Sequence, residues 1–196
     1  MGLFQSNRFA GWSAYLSAAA TIIGFITLIL FFSVGQPFGT INDISSIFIA
    51  LATLPILFAL YQLHRAVAPT VSLGALIIGI VSSLIAVLLQ TLFVFKVIPG
   101  SPSGEIVTVA FGVFGISLAL FNYLAYSNKS FSPKLAIWGI AAGAGYALVA
   151  LGFLLGGQDH PLTYLGGLFA IFAYPAWAIW FGRLILSGKI TTQSTG

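Results

Sequence analysis

The amino-acid sequence predicts an all-α fold: an integral membrane bundle of six transmembrane helices in one domain, with both termini cytoplasmic. Three observations predict it. Of the 196 residues, 59% are hydrophobic and only 5% are charged, whereas a soluble domain carries about 25% charged residues and needs them on its surface. Six apolar runs are each long enough to cross a bilayer, which takes about 20 residues for about 30 Å of hydrocarbon. Lys and Arg gather in alternate connections, as they do in membrane proteins of fixed orientation.

The first run, Ala10 to Val34, follows Arg8; at 25 residues it exceeds the apolar stretch of a signal peptide and reads as an uncleaved first helix. Gly35-Gln36-Pro37 ends it. Asp43 then stands before the second run, Ile44 to Leu63, where a carboxylate suits the positive end of the helix dipole. Pro69 precedes the third run, Val71 to Phe95, and Pro99-Gly100-Ser101-Pro102 separates it from the fourth, Ile106 to Tyr126, with Glu105 at its start. Ser132-Pro133 leads into the fifth, Leu135 to Leu155, and Gly156-Gly157 divides that from the sixth, Leu162 to Leu186. Connections of six to ten residues leave no room for a soluble domain.

Six crossings put Arg8, Arg65, Lys129, Lys134, Arg183 and Lys189 on one side; the other holds Lys96 with Asp43, Glu105 and Asp159. The positive-inside rule places the first side in the cytoplasm. The net charge of +4 therefore has a topological cause, and seven dispersed basic residues form no stripe that would track phosphates, so nucleic acid is not an expected partner. Trp12, Trp138, Trp177 and Trp180 all fall in the half of the bundle read as cytoplasmic.

Several function classes are disfavoured by what the runs lack. With no Cys, thiolate metal sites and thiol redox chemistry are absent. Within the six runs Arg183 is the one Asp, Glu, Lys, Arg or His, which argues against proton pumps, ion-coupled exchangers and voltage sensors; no Lys is available for retinal. His64 and His160 lie on opposite faces and cannot share a metal, and a haem on His64 alone lacks a second ligand. No G-x-S-x-G elbow, P-loop, dinucleotide fingerprint or H-E-x-x-H is present. The expectation is a protein that is no enzyme and carries no cofactor or metal.

Two prolines mark the candidate site. Pro55 and Pro175 both fall near mid-bilayer, and each frees the carbonyl four residues back, at Leu51 and Ile171. If the second and sixth helices bend there and lie side by side, the sequence predicts an apolar pocket lined by Leu51, Ala52, Pro55, Ile171, Tyr174, Pro175 and Trp177. It would open toward a cytoplasmic polar group of Gln62, His64, Arg65, Asn122 and Arg183, and hold a lipid tail or an uncharged amphiphile with an anionic group on the Arg side. The same residues also suit a bundle whose side chains fill the bends.

In the fifth run Ala136, Gly139, Gly143, Ala147 and Ala150 form a small-residue stripe where a second helix can approach closely, from this chain or from a partner. Gln90 and Asn122 are the strongest hydrogen-bonding side chains in the runs, each expected to bond a neighbouring helix.

The segments Arg8-x-Ala10-Gly11, Leu57 to Leu63, Trp138-Gly139, Gly143-x-Gly145-Tyr146 and Tyr174 to Arg183 resemble a broad bacterial family of small six-helix integral membrane proteins catalogued only as a domain of unknown function. The resemblance covers most of the chain, implies a bacterial inner membrane, and brings no activity or catalytic residue with it. Sequence alone thus supports a non-catalytic bundle in the lipid bilayer, either an accessory subunit of a membrane assembly or homo-oligomer, or a binder of an apolar, lipid-like molecule. The alternative is a small transporter or channel that uses the two proline-bearing helices.

Overall fold

A computed structural model describes residues 3–190 of the chain. They form six helices: α1 (Leu3–Val34), α2 (Phe38–His64), α3 (Pro69–Val94), α4 (Gly100–Asn128), α5 (Pro133–Gly156) and α6 (Pro161–Leu186). All six are long and apolar enough to cross a membrane. The connections are so short that each helix must turn back along the one before it.

Each helix packs on its sequence neighbours, and α1 closes the circle against α6. Gly24 meets Ser45, Gly79 meets Ser117, Gly145 meets Ala170, and Gly11 meets Gly182, all as antiparallel partners. The circle therefore has a basic end, which collects Arg8, Arg65, Lys129, Lys134, Arg183 and Lys189, and an acidic end with Asp43, Glu105, Asp159 and Lys96.

Small residues set the tightest contacts. A Cβ built on Gly143 would collide with the Gly115 carbonyl and lie 2.6 Å from the Ala119 nitrogen, so the stripe of α5 is spent on α4 within the same chain. Gly152 and Gly166 bring α5 equally close to α6. This close approach is what the G-x-x-x-G spacing permits.

Toward the basic end the interior is filled with large side chains. Tyr174, Trp177, Phe114, Phe121, Phe181, Leu57, Leu60, Leu118 and Leu135 are fully buried there. Trp177 stacks on Phe181 with ring centroids 5.0 Å apart, and its indole N–H donates to Asn122 Oδ1 at 2.8 Å, tying α6 to α4 across the bundle. Gln90 also bonds a neighbouring helix: its amide donates to Asp43 Oδ1 of α2 at 2.6 Å.

Two sequence expectations are corrected. Helices α2 and α4 begin at Phe38 and Gly100 rather than at Ile44 and Ile106, so Asp43 and Glu105 are each the sixth residue of a helix, not residues ahead of one. An apolar run stops at its first polar residues, but the backbone ladder does not: Asn42 donates to the Gly24 carbonyl at 2.8 Å and Asp43 is held by Gln90, so both are accommodated inside the bundle. Arg183 is accordingly not the one ionisable group in the spans, which also contain Arg8, Asp43, His64, Glu105 and Lys134. The second correction concerns the prolines. Helices α2 and α6 do not pack together, because α1 stands between them in the circle.

Candidate functional site

The bundle opens at its acidic end. Helices α2 and α4 both run inward from that end, and each presents a carboxylate, a hydroxyl and an apolar side chain at three-residue steps: Asp43, Ser46 and Ile49 on α2, and Glu105, Thr108 and Phe111 on α4. Three residues is close to one helical turn, so each triplet shares one face of its helix, from half-buried Asp43 and exposed Glu105 at the rim to Ile49 and Phe111 below. Between these stripes lies a vestibule of about 590 Å³ whose mouth carries Asp43, Glu105, Gln36, Asn42 and Gln158 and whose walls include Phe31, Phe93 and Phe153.

Thr108 links the vestibule to a deeper recess of about 190 Å³ lined by Ser46, Ile49, Phe111, Tyr146, Val149 and Ala170. Tyr146 forms part of its wall, stacked on Phe111 at 5.9 Å and edge-on to Phe114 and Tyr174 at 5.7 and 5.5 Å. Behind it the Tyr174 hydroxyl pairs with Ser17 of α1. The aromatic cluster separates the recess from the filled half of the core.

The lining is rich in acceptors. The Thr108 hydroxyl donates to the Gly104 carbonyl at 2.8 Å and the Ser46 hydroxyl to the Asn42 carbonyl at 3.2 Å, so each spends its one hydrogen on its own helix and turns lone pairs elsewhere. Asp43 uses one oxygen on Gln90, and an ionised carboxylate has about four lone-pair sites in all. Among the described residues, no Lys or Arg lines either cavity. The arrangement offers negative charge, lone pairs and aromatic faces, which together suit a positively charged group.

No family model matches this chain, and neither does any curated protein or solved structure.

The sequence-predicted pocket residues are dispersed. Leu51 is 44% exposed on the outer surface of the circle, while Tyr174, Pro175 and Trp177 are buried in α6 and Ala52 is buried in α2; Pro55 and Ile171 are half-buried on helices that do not adjoin. The predicted polar group is partly assembled near the basic end. His64 is fully buried, its Nδ1–H donating to the Leu60 carbonyl at 2.7 Å and its ring 6.0 Å from that of Phe121. Asn122 is buried beside Phe121 and bonded to Trp177, whereas Gln62 and Arg65 are half-buried and Arg183 is exposed. His64 Nε2 and Gln62 Oε1 are buried with no hydrogen-bond partner among the described residues.

The residues missed by sequence reading are Asp43, Ser46, Glu105, Thr108 and Tyr146. A signal was present: D-x-x-S and E-x-x-T occur at the heads of two helices that enter from the same side.

Proposed function

We propose that this chain is a non-catalytic membrane bundle whose acidic-end vestibule binds a small organic cation with an apolar body. The single observation carrying the reading is the vestibule of about 590 Å³ flanked by Asp43 and Glu105, with no basic residue among the described residues of its lining. Phe31, Phe93 and Phe153 supply apolar area and ring faces for the cation, and Thr108 and Ser46 supply acceptors for any N–H it carries. The packed aromatics below Tyr146 favour a binder over an open channel. In this reading the basic end faces the cytoplasm of a bacterium, by the Lys and Arg bias, and the vestibule faces outward from the inner membrane.

The test is thermal stabilisation of the purified protein in a non-ionic detergent by benzyltrimethylammonium, set against its uncharged tert-butyl analogue. A ligand at about 100 times its Kd stabilises by about 2.7 kcal/mol. The cation is expected to raise Tm and the neutral analogue to leave it nearly unchanged. Equal responses to the two would contradict a charge-selective site.

A further inference from the structure

The vestibule is not closed on all sides. Glu105 and Phe153 line it, and the same two residues also line a second cavity of about 460 Å³ that lies between the acidic-end portions of α4 and α5, with Ile106, Val109, Leu154 and Gly157. Deeper in the bundle α4 and α5 are sealed, since a Cβ on Gly112 would collide with Ala150 and one on Gly115 would lie 2.5 Å from the Gly143 carbonyl. Beyond Gly112 and Ala150 the contact relaxes: among the described residues, no atom of another part of the chain lies within 4 Å of a Cβ position on Gly104 or Gly157. Leu154 is 69% exposed on a helix long and apolar enough to cross a membrane, so the cleft opens onto the outer surface of the bundle.

We infer that the cleft between α4 and α5 is a lateral portal from the bilayer, and that the vestibule's ligand is a single-chain cationic amphiphile. Its charged head sits between Asp43 and Glu105, and its hydrocarbon chain leaves past Phe153 along Ile106, Val109 and Leu154. The inference rests on the cation reading of the vestibule and adds to it the route of entry and the chain. Charge complementarity orients the occupant: the carboxylates stand at the inner side of the portal, and the outer side is apolar. The groove on the other flank of α4, about 350 Å³ and lined by Ile77, Ile78, Val81 and Ile85, shares Ile106 and Val109 with the cleft and extends the apolar track without adding a charge.

The test compares tetramethylammonium with dodecyltrimethylammonium on the full chain in dodecyl maltoside, using wild type, Leu154→Trp and, as a control on the next exposed position, Leu155→Trp. Each affinity is referred to an Asp43→Asn/Glu105→Gln chain, which corrects for uptake of the long probe by micelles. The long probe should bind wild type at least about tenfold more tightly than the short one. Leu154→Trp should remove most of that advantage by weakening the long probe far more than the short one, and Leu155→Trp, outside the cleft lining, should alter neither. If both probes bind wild type equally, or Leu154→Trp leaves the long-chain advantage intact, the portal is refuted and the cation site stands. If neither probe binds wild type more tightly than the double variant, the cation reading fails and the portal falls with it.

Discussion

Gly143→Ala is the sharpest probe of how α5 is seated. The added methyl would collide with the Gly115 carbonyl and stand 2.6 Å from the Ala119 nitrogen and 2.9 Å from its Cβ. Two of those atoms are backbone, so no side chain can rotate away and α4 must move bodily. Overpacking of this kind costs about 1 to 3 kcal/mol, against which the better helix propensity of Ala returns about 1 kcal/mol. Gly167, on α6, has nothing within 4 Å of its Cβ position, so Gly167→Ala keeps the propensity gain without the clash. The two substitutions, chemically identical, should therefore differ by about 1 to 3 kcal/mol. Near this chain length 1 kcal/mol corresponds to about 2 to 4 °C in Tm. Thermal unfolding in detergent, followed by near-ultraviolet circular dichroism, reads both. A Gly143→Ala protein as stable as Gly167→Ala would refute the close α4–α5 approach.

Three further outcomes are expected. Gln90→Leu removes the amide that donates to Asp43 at 2.6 Å and should destabilise by about 1.5 to 3 kcal/mol, whereas Asp43→Asn, which keeps an acceptor for Gln90, should cost less in the same unfolding assay. Trp177→Phe leaves the buried Asn122 Oδ1 without its 2.8 Å donor and should cost about 1 to 3 kcal/mol; adding Asn122→Leu should recover part of the loss, a coupling that a double-mutant cycle measures. Because the chain contains no Cys, single cysteines at Gln158 and Ser130 report orientation. An impermeant maleimide on intact cells should label Gln158→Cys and spare Ser130→Cys, and the opposite pattern would invert the proposed topology.

The helices themselves were legible. The punctuation at Gly35-Gln36-Pro37, Pro69, Pro99 and Gly156-Gly157 falls at or within a few residues of helix ends, because proline and glycine act through the local backbone. What sequence concealed is long-range. The order of helices around the circle decides which residues meet, and nothing in Pro55 or Pro175 says that α1 will stand between their helices. The stripe of α5 is visible in the sequence, yet only packing assigns its Gly143 to α4, while Gly152, outside the stripe, meets α6.

The candidate site was missed for a different reason. An apolar run ends at a carboxylate, so by sequence Asp43 and Glu105 read as residues ahead of their helices. The partner that admits Asp43 is Gln90, 47 residues away. The D-x-x-S and E-x-x-T spacing acquires meaning only once α2 and α4 are seen to descend from one end into one cavity.

The central claim, a charge-selective cation site at the acidic end, is tested most directly by titration calorimetry of benzyltrimethylammonium into the wild-type protein and into Asp43→Asn/Glu105→Gln. Both substitutions keep the shape of the lining and remove its charge. The account predicts saturable binding to wild type and an affinity at least about tenfold weaker in the double variant. The same affinity in both proteins would contradict it.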